Sequence, residues 1–170
     1  MPAGDEVPPA LTLRPLTRYP FQLLCPGDHP LAEAARLTLQ QVIRHPLVLA
    51  SEASSSRIQI ERIFARHGLI GRMNVSMTAS NLPLIMSYVG IGLGVALAST
   101  VINIKPPPRR RGQTALVLRD ISALFGHEEV VLLQRQGRHE LPHVKAFREL
   151  VEQSFDHSGE PPGPWRGRPR

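Results

Sequence analysis

The stretch MNVSMTASNLPLIMSYVGIGLGVALA, residues 73–98, decides how this chain folds. It opens with Met73-Asn74-Val75-Ser76-Met77-Thr78-Ala79, whose apolar and polar residues alternate with the period of a strand. Ser80 or Asn81 then supplies a helix cap, and Pro83 sits in the first turn of a helix carrying Leu84, Ile85, Tyr88 and Val89. That helix should end around Gly90, and Gly94-Val95-Ala96-Leu97-Ala98 should form a short buried strand. Strand, helix and strand in this order are the repeating unit of an α/β fold.

The same stretch admits two other readings. No charged side chain occurs from Met73 to Ile104, and Leu82 to Ile104 is long enough to span a bilayer. Gly90 and Gly94 even have the spacing of a membrane helix-packing motif. Against this, Asn74, Ser76, Thr78, Ser80 and Asn81 are polar. Three glycines in five residues, each costing about 1 kcal/mol inside a helix, suit a helix stop better. The glycines also suggest a phosphate loop, but that needs strand, glycines, then helix, and here the order is reversed.

Outward from this stretch the same alternation continues. Tyr19 to Cys25 reads as a strand ended by the turn Pro26-Gly27-Asp28. Thr38 caps a brief helix from Leu39 to Arg44, and Leu47 to Ala50 is a second buried strand. The polar run Ser51 to Ser56 opens a helix from about Arg57 to His67, with Ile60, Ile63 and Phe64 as its apolar stripe and Gly68 as its stop. Thr114 to Val117 and Glu129 to Leu133 read as further strands. A last helix, Pro142 to Phe155, should turn Val144, Phe147, Leu150 and Val151 inward. The expectation is an α/β domain with a mostly parallel sheet.

The 170 residues are 42% apolar and 20% charged, which excludes wholesale disorder. The net charge of +6 is carried by Lys105, Arg109, Arg110, Arg111, Arg166, Arg168 and Arg170, so the rest of the chain is nearly neutral. Basicity confined to two Pro-rich segments argues against a DNA-binding face on the folded part. Residues 1–12 read as linker and 156–170 as a disordered Pro/Arg-rich tail. A single cysteine, Cys25, excludes an intramolecular disulfide and a multi-Cys zinc cage. The acidic, Pro-rich start lacks the pattern of an export signal, so a cytoplasmic chain with no membrane association is expected.

The residues offer no catalytic set. Cys25 and His29 lie four apart, yet Cys25 sits in an apolar strand and no third, orienting group is recognisable. The seven histidines form no metal-ligand spacing, so neither a metal nor a cofactor is expected. Two polar strand ends do suit ligand binding. Ser54, Ser55, Ser56 and Arg57 bring hydroxyls, free N–H groups and a guanidinium to a helix start. One of those serines could equally be an ordinary cap, with the others solvated. Thr78, Ser80 and Asn81 form the second such end. In open α/β sheets ligands bind at the carboxyl ends of strands, where both segments would lie.

A set of short motifs resembles one family. Asp28-His29-Pro30-Leu31-Ala32 with Leu37-Thr38-Leu39, Ser56-Arg57 to Phe64 with Gly68-Leu69, and Thr78 to Asn81 followed by Ile85, Tyr88-Val89, Gly92-Leu93-Gly94 and Val95 are similar to LysR-type transcriptional regulators. Leu118 to Ser122 with Leu124-Phe125-Gly126, and the closing strand and helix from Glu129 to Phe155, extend the resemblance over about residues 13–155. The nearest branch is the one regulating sulfur assimilation. The resemblance implies the effector-binding domain and its type-2 periplasmic-binding-protein-like fold, in which two α/β subdomains are joined by crossover strands. Here residues 21–25 and 130–133 would be the crossovers and about 30–117 the second subdomain. The last helix would belong to an incomplete first subdomain.

The resemblance further implies a small anionic effector, with Thr78 and Ser80 as matching hydroxyl residues and the Ser54–Arg57 loop close by. It implies a homo-oligomer, with DNA contacted only through a helix-turn-helix domain that does not precede Leu13 here. A stand-alone solute-binding module of the same fold remains the alternative, ahead of a small membrane protein or an enzyme.

Overall fold

The computed structural model describes residues 10–100, 115–137 and 140–156. Of the expected linker 1–12, residues up to 9 lie outside the described residues, as do the basic loop at Arg109–Arg111, Thr114 and the tail from residue 157, while Leu11 and Thr12 already belong to a strand. The chain divides into two units, residues 20–128 and a second unit made of residues up to 19 and from 129 onward.

In the 20–128 unit, β1 (Leu11–Pro26) contributes its C-terminal half beside β2 (Leu47–Ala50), β3 (Val75–Ala79), β4 (Val95–Ser99) and β5 (Leu116–Asp120). The strand order is β3-β2-β4-β1-β5. β2 runs parallel to β3, with Ala50 opposite Ala79, and parallel to β4, with Val48 opposite Ala96. β1 is antiparallel to both neighbours, with Phe21 opposite Ser99 and Leu24 opposite Leu118. The sheet is therefore mixed, where a mostly parallel one was expected. Apolar periodicity carries no direction. Only strands linked by a crossover helix must run parallel, and that condition holds for β2, β3 and β4 but not for β1.

Alternate residues of the strands feed two cores. Phe21, Leu23, Cys25, Leu47, Leu49, Val95 and Leu97 pack on one face with Leu31 of α1 (Pro30–Glu33), Val42 of α2 (Leu39–Val42) and Ile60 and Phe64 of α3 (Ser55–Arg66). Phe125 of α5 (Ser122–Phe125) completes that side, its ring edge-on to Phe64 at 5.4 Å. On the other face Leu24, Val48, Ala79 and Ala96 pack on Ile85, Met86 and Val89 of α4 (Leu82–Gly90). Burial on both faces explains why these strands read as short apolar runs. Thr38 and Gln41 cap α2 reciprocally, Thr38 Oγ1 accepting from Gln41 N and Gln41 Oε1 from Thr38 N.

The uncharged stretch resolves into α4, a glycine turn and β4. No helix among the described residues is long and apolar enough to cross a membrane.

The second unit holds the start of β1, most of β6 (His127–Arg135) and α6 (Pro142–Asp156). β6 pairs with β1, and Gln136 N donates to Ala10 O at 2.8 Å. Arg148 on α6 bridges Glu140 at 2.9 Å and Glu152 at 3.2 Å, and Arg14 reaches Glu152 at 2.9 Å. The inward orientation expected for α6 needs correction. Phe147 is 65% and Leu150 61% exposed, Val144 is exposed and Val151 half-buried. Helical periodicity states that an apolar stripe exists; covering it needs a second layer. The described part of this unit supplies one helix and a pair of strands.

Candidate functional site

Because β2, β3 and β4 are parallel, their carboxyl ends at Ala50, Ala79 and Ser99 lie along one edge of the sheet. The helices α3 and α4 begin just beyond the first two of these ends. The pairing of Ala50 with Ala79 sets the polar loops that follow side by side. This edge gathers the serine, threonine and asparagine residues singled out in the sequence.

On the α3 side Ser54 is the N-cap, its hydroxyl accepting from Arg57 N at 3.2 Å. Ser56 Oγ lies 3.3 Å from Ser54 Oγ. Ser55 and Ser56 occupy the first helical positions, whose N–H groups have no intrahelical acceptor. On the α4 side Asn81 is the N-cap, its side-chain oxygen accepting from Leu84 N at 3.0 Å, while its amide nitrogen donates to Ser80 Oγ at 3.5 Å. Thr78 is exposed one residue before the end of β3, opposite Leu49. The segments 54–56 and 78–81 thus share one edge.

Arg57 is placed differently from the other residues of its loop. It is 5% exposed, with Nε donating to Glu61 one turn along α3 at 2.6 Å. Its Nη1 is buried with no hydrogen-bond partner among the described residues. Only Nε of the guanidinium is engaged within its own helix, and the neighbouring Ser55 is exposed.

Two residues on this edge were not singled out in the sequence. Ser99 ends β4, the third of the parallel strands, and Glu128 accepts hydrogen bonds from both Ser55 Oγ and Ser99 Oγ. Ser99 had a legible signal, a hydroxyl pair Ser99-Thr100 closing an apolar strand. Glu128 had none, since it lies 73 residues from Ser55 and 29 from Ser99. Thr100 is buried, with its N–H donating to Pro20 O at 3.3 Å.

The chemistry available on this edge is hydrogen bonding. Hydroxyls and first-turn N–H groups donate to ligand oxygens, with the partial positive charge of a helix start behind them. Cys25 is buried, and burial pushes its thiol up to about 11, only partly opposed by Arg119. His29 is occupied elsewhere, accepting at Nδ1 from Leu31 N at 3.1 Å and meeting the His45 ring edge-on at 4.5 Å. No group of His, Cys, Asp and Glu among the described residues could hold a metal ion.

The edge sets hydroxyls and helix-start N–H groups at the carboxyl ends of parallel strands, the place where open α/β sheets bind ligands. The family follows from comparison. The family model described as the LysR substrate binding domain matches residues 3–156, and the chain belongs to this family. It is 30% identical over 142 residues to the HTH-type transcriptional regulator cbl of Escherichia coli (strain K12), which covers 84% of this chain and 43% of that protein. Cbl lies in the sulfur-assimilation branch, the one the sequence resembles. The crystal structure of the cofactor-binding domain of the Cbl regulator superposes with a TM-score of 0.69 at 29% identity, over 86% of this chain and 61% of that one. The effector-binding domain of QuiR in complex with shikimate has the same fold, with a TM-score of 0.73 at 16% identity over 90% of this chain and 69% of that one. The chain therefore spans less than half the length of the curated relatives it matches, which are named as transcriptional regulators and not as enzymes.

Proposed function

We propose that this chain is the effector-sensing part of a LysR-type transcriptional regulator and holds a small anion or carboxylate at the carboxyl edge of β2, β3 and β4. The observation that carries the reading is the meeting of Ser54, Ser55, Ser56, Thr78, Ser80, Asn81 and Ser99 on that single edge. A ligand oxygen there replaces water with hydroxyl and N–H donors, and each hydrogen bond to a charged group contributes about 1.5–3 kcal/mol. Arg57 supplies positive charge beside this edge, its Nε held by Glu61.

Phe21 pairs with Ser99 and Glu128 bonds to it, so the site lies beside both points where the chain leaves this unit, at residues 19/20 and 128/129. A ligand shifts the arrangement of such a domain only by its differential affinity for two states. The rest of this reading has the chain work as a cytoplasmic homo-oligomer. Promoter contact belongs to a helix-turn-helix domain outside these 170 residues, and the chain performs no catalysis.

The test is thermal unfolding with sulfate and a panel of small carboxylates. A ligand at a hundred times its Kd stabilises by about 2.7 kcal/mol, a rise of about 5–10 °C for a chain of this size. Thr78→Val, at an exposed position, should remove the shift. An unchanged shift takes Thr78 out of the site, and no shift with any member of the panel overturns the reading.

A further inference from the structure

We propose that Gln59 is the pin by which α3 holds both points where the chain enters and leaves the 20–128 unit, so that a displacement of the first turns of α3 is passed to the two points together. The inference goes beyond the effector-site reading and needs no ligand, since it concerns what α3 is fastened to.

Three consecutive carbonyls at the corner between α5 and β6 are occupied, the outer two by one side chain and the middle one by the backbone. Gln59 Nε2 donates to Phe125 O at 2.7 Å and to His127 O at 3.4 Å. Gly126 O, between them, accepts from Phe21 N at 3.2 Å. Gly126 has φ of +73°, a turn that favours glycine. Phe21 is fastened a second time, its O accepting from Ile121 N at 2.9 Å. Phe21 is the second residue of the unit and His127 the last but one. The two ends of the unit are therefore joined to each other, and Gln59 joins α3 to both.

Gln59 lies one turn along from Ser55 in the twelve-residue α3 and is half-buried. Phe125 is the last residue of α5, so its carbonyl has no donor within its own helix. Gln59 supplies that donor from 66 positions away. Its amide carries two N–H donors, and two acceptors fix the side chain in two directions. The ring of Phe64, 5.4 Å from that of Phe125, is another contact of α3 with the corner. An apolar contact has no preferred direction, whereas a hydrogen bond weakens steeply when bent, so the amide carries the displacement.

Amide hydrogen exchange on the full chain, read residue by residue, tests the pin. Gln59→Met keeps the length of the side chain and removes both donors. The amides of Phe21 and Gly126 should then exchange about tenfold faster, as when a buried acceptor loses its donor. The amides of Leu47 and Val95, bonded to Asn74 O and Pro46 O within the sheet, should stay within about twofold. A double-mutant cycle reads the transmission. Ser54→Ala removes the hydroxyl that caps α3 and should speed exchange at Phe21 about threefold or more. Added to Q59M, the same change should have no further effect there. Should Q59M fail to fold, Gln59→Asn, one methylene short of both carbonyls, reads the same loss. Unchanged exchange at Phe21 and Gly126, or an increase shared equally by Leu47 and Val95, overturns the pin. An S54A effect of equal size with and without Gln59 routes the coupling through Phe64 and overturns the role of Gln59.

Discussion

Replacing Gly94 by alanine should be among the most damaging single-methyl changes in this chain, and the structure shows why. Gly94 has φ of +147°, a backbone conformation that residues with a Cβ rarely adopt. A Cβ built there falls 2.3 Å from Pro46 O and 2.8 Å from Pro46 C. Ordinary contact begins near 3.4 Å, so the methyl is about 1 Å too close to backbone atoms that cannot rotate away. The approach is itself structural, since Pro46 O accepts from Val95 N at 2.9 Å where β4 starts beside β2. Backbone strain contributes about 1–3 kcal/mol and forced displacement about 1–3 kcal/mol, so Gly94→Ala should cost roughly 2–6 kcal/mol. Gly92 is the internal control: its φ is +83°, but nothing lies within 4 Å of its Cβ position. Gly92→Ala then bears only the left-handed penalty, about 1–2 kcal/mol. Equilibrium urea unfolding of the two variants measures the difference. If G94A proves no more destabilising than G92A, the close approach to Pro46 is not what holds glycine at position 94.

Three further predictions concern stability and reactivity. Phe125 lies between Phe21 and Phe64, with ring centroids at 6.1 and 5.4 Å, so Phe125→Ala should cost about 3–5 kcal/mol in the same urea assay; a loss under 1 kcal/mol would show that the three rings do not form one packed unit. Cys25, with its thiol pushed up to about 11 by burial, should resist a thiol reagent at pH 8 in the native chain and react promptly in denaturant; fast labelling without denaturant contradicts the buried strand. His29 is held below its ordinary 6.5, first by burial and then by His45, with Asp28 opposing. Its folded state therefore binds fewer protons than the unfolded chain, so stability is complete above pH 6.5 and declines as pH falls below it. Protonation also removes the Nδ1 lone pair that caps α1. His29→Asn, which can cap without titrating there, should flatten the decline between pH 6.5 and 5, and an unchanged slope assigns the effect to other groups.

Much of the domain was legible because its elements carry local signals. Asn81 and Pro83 announce α4, Ser54 announces α3, and the apolar runs at 47–50 and 95–99 announce strands buried on both faces. The two hydroxyl-bearing segments at 54–56 and 78–81 were legible for the same reason, as polar residues where a strand gives way to a helix. Some features had no local signal. The direction of β1 depends on which strands flank it, and Leu23 meets Leu97 and Arg119 from far along the chain. The stripe Val144, Phe147 and Leu150 shows its helical period but not whether anything covers it. Arg57 reads as an anion ligand beside three serines; that its Nε would bond Glu61 while its Nη1 stays buried without a partner among the described residues is not legible in the sequence.

What the sequence by itself determined is most of the elements and the family, because caps, glycine stops and apolar periods act over a few residues; the short helices α1 and α5 and the first half of β1 were not read. Only the tertiary structure decided which residues meet at the candidate site. Ser55, Ser99 and Glu128 lie on three separate segments: parallel strands bring the two serines to one edge, and the pairing of β6 with β1 brings the carboxylate to them. A hydrogen bond between residues 73 positions apart leaves no period and no spacing to read.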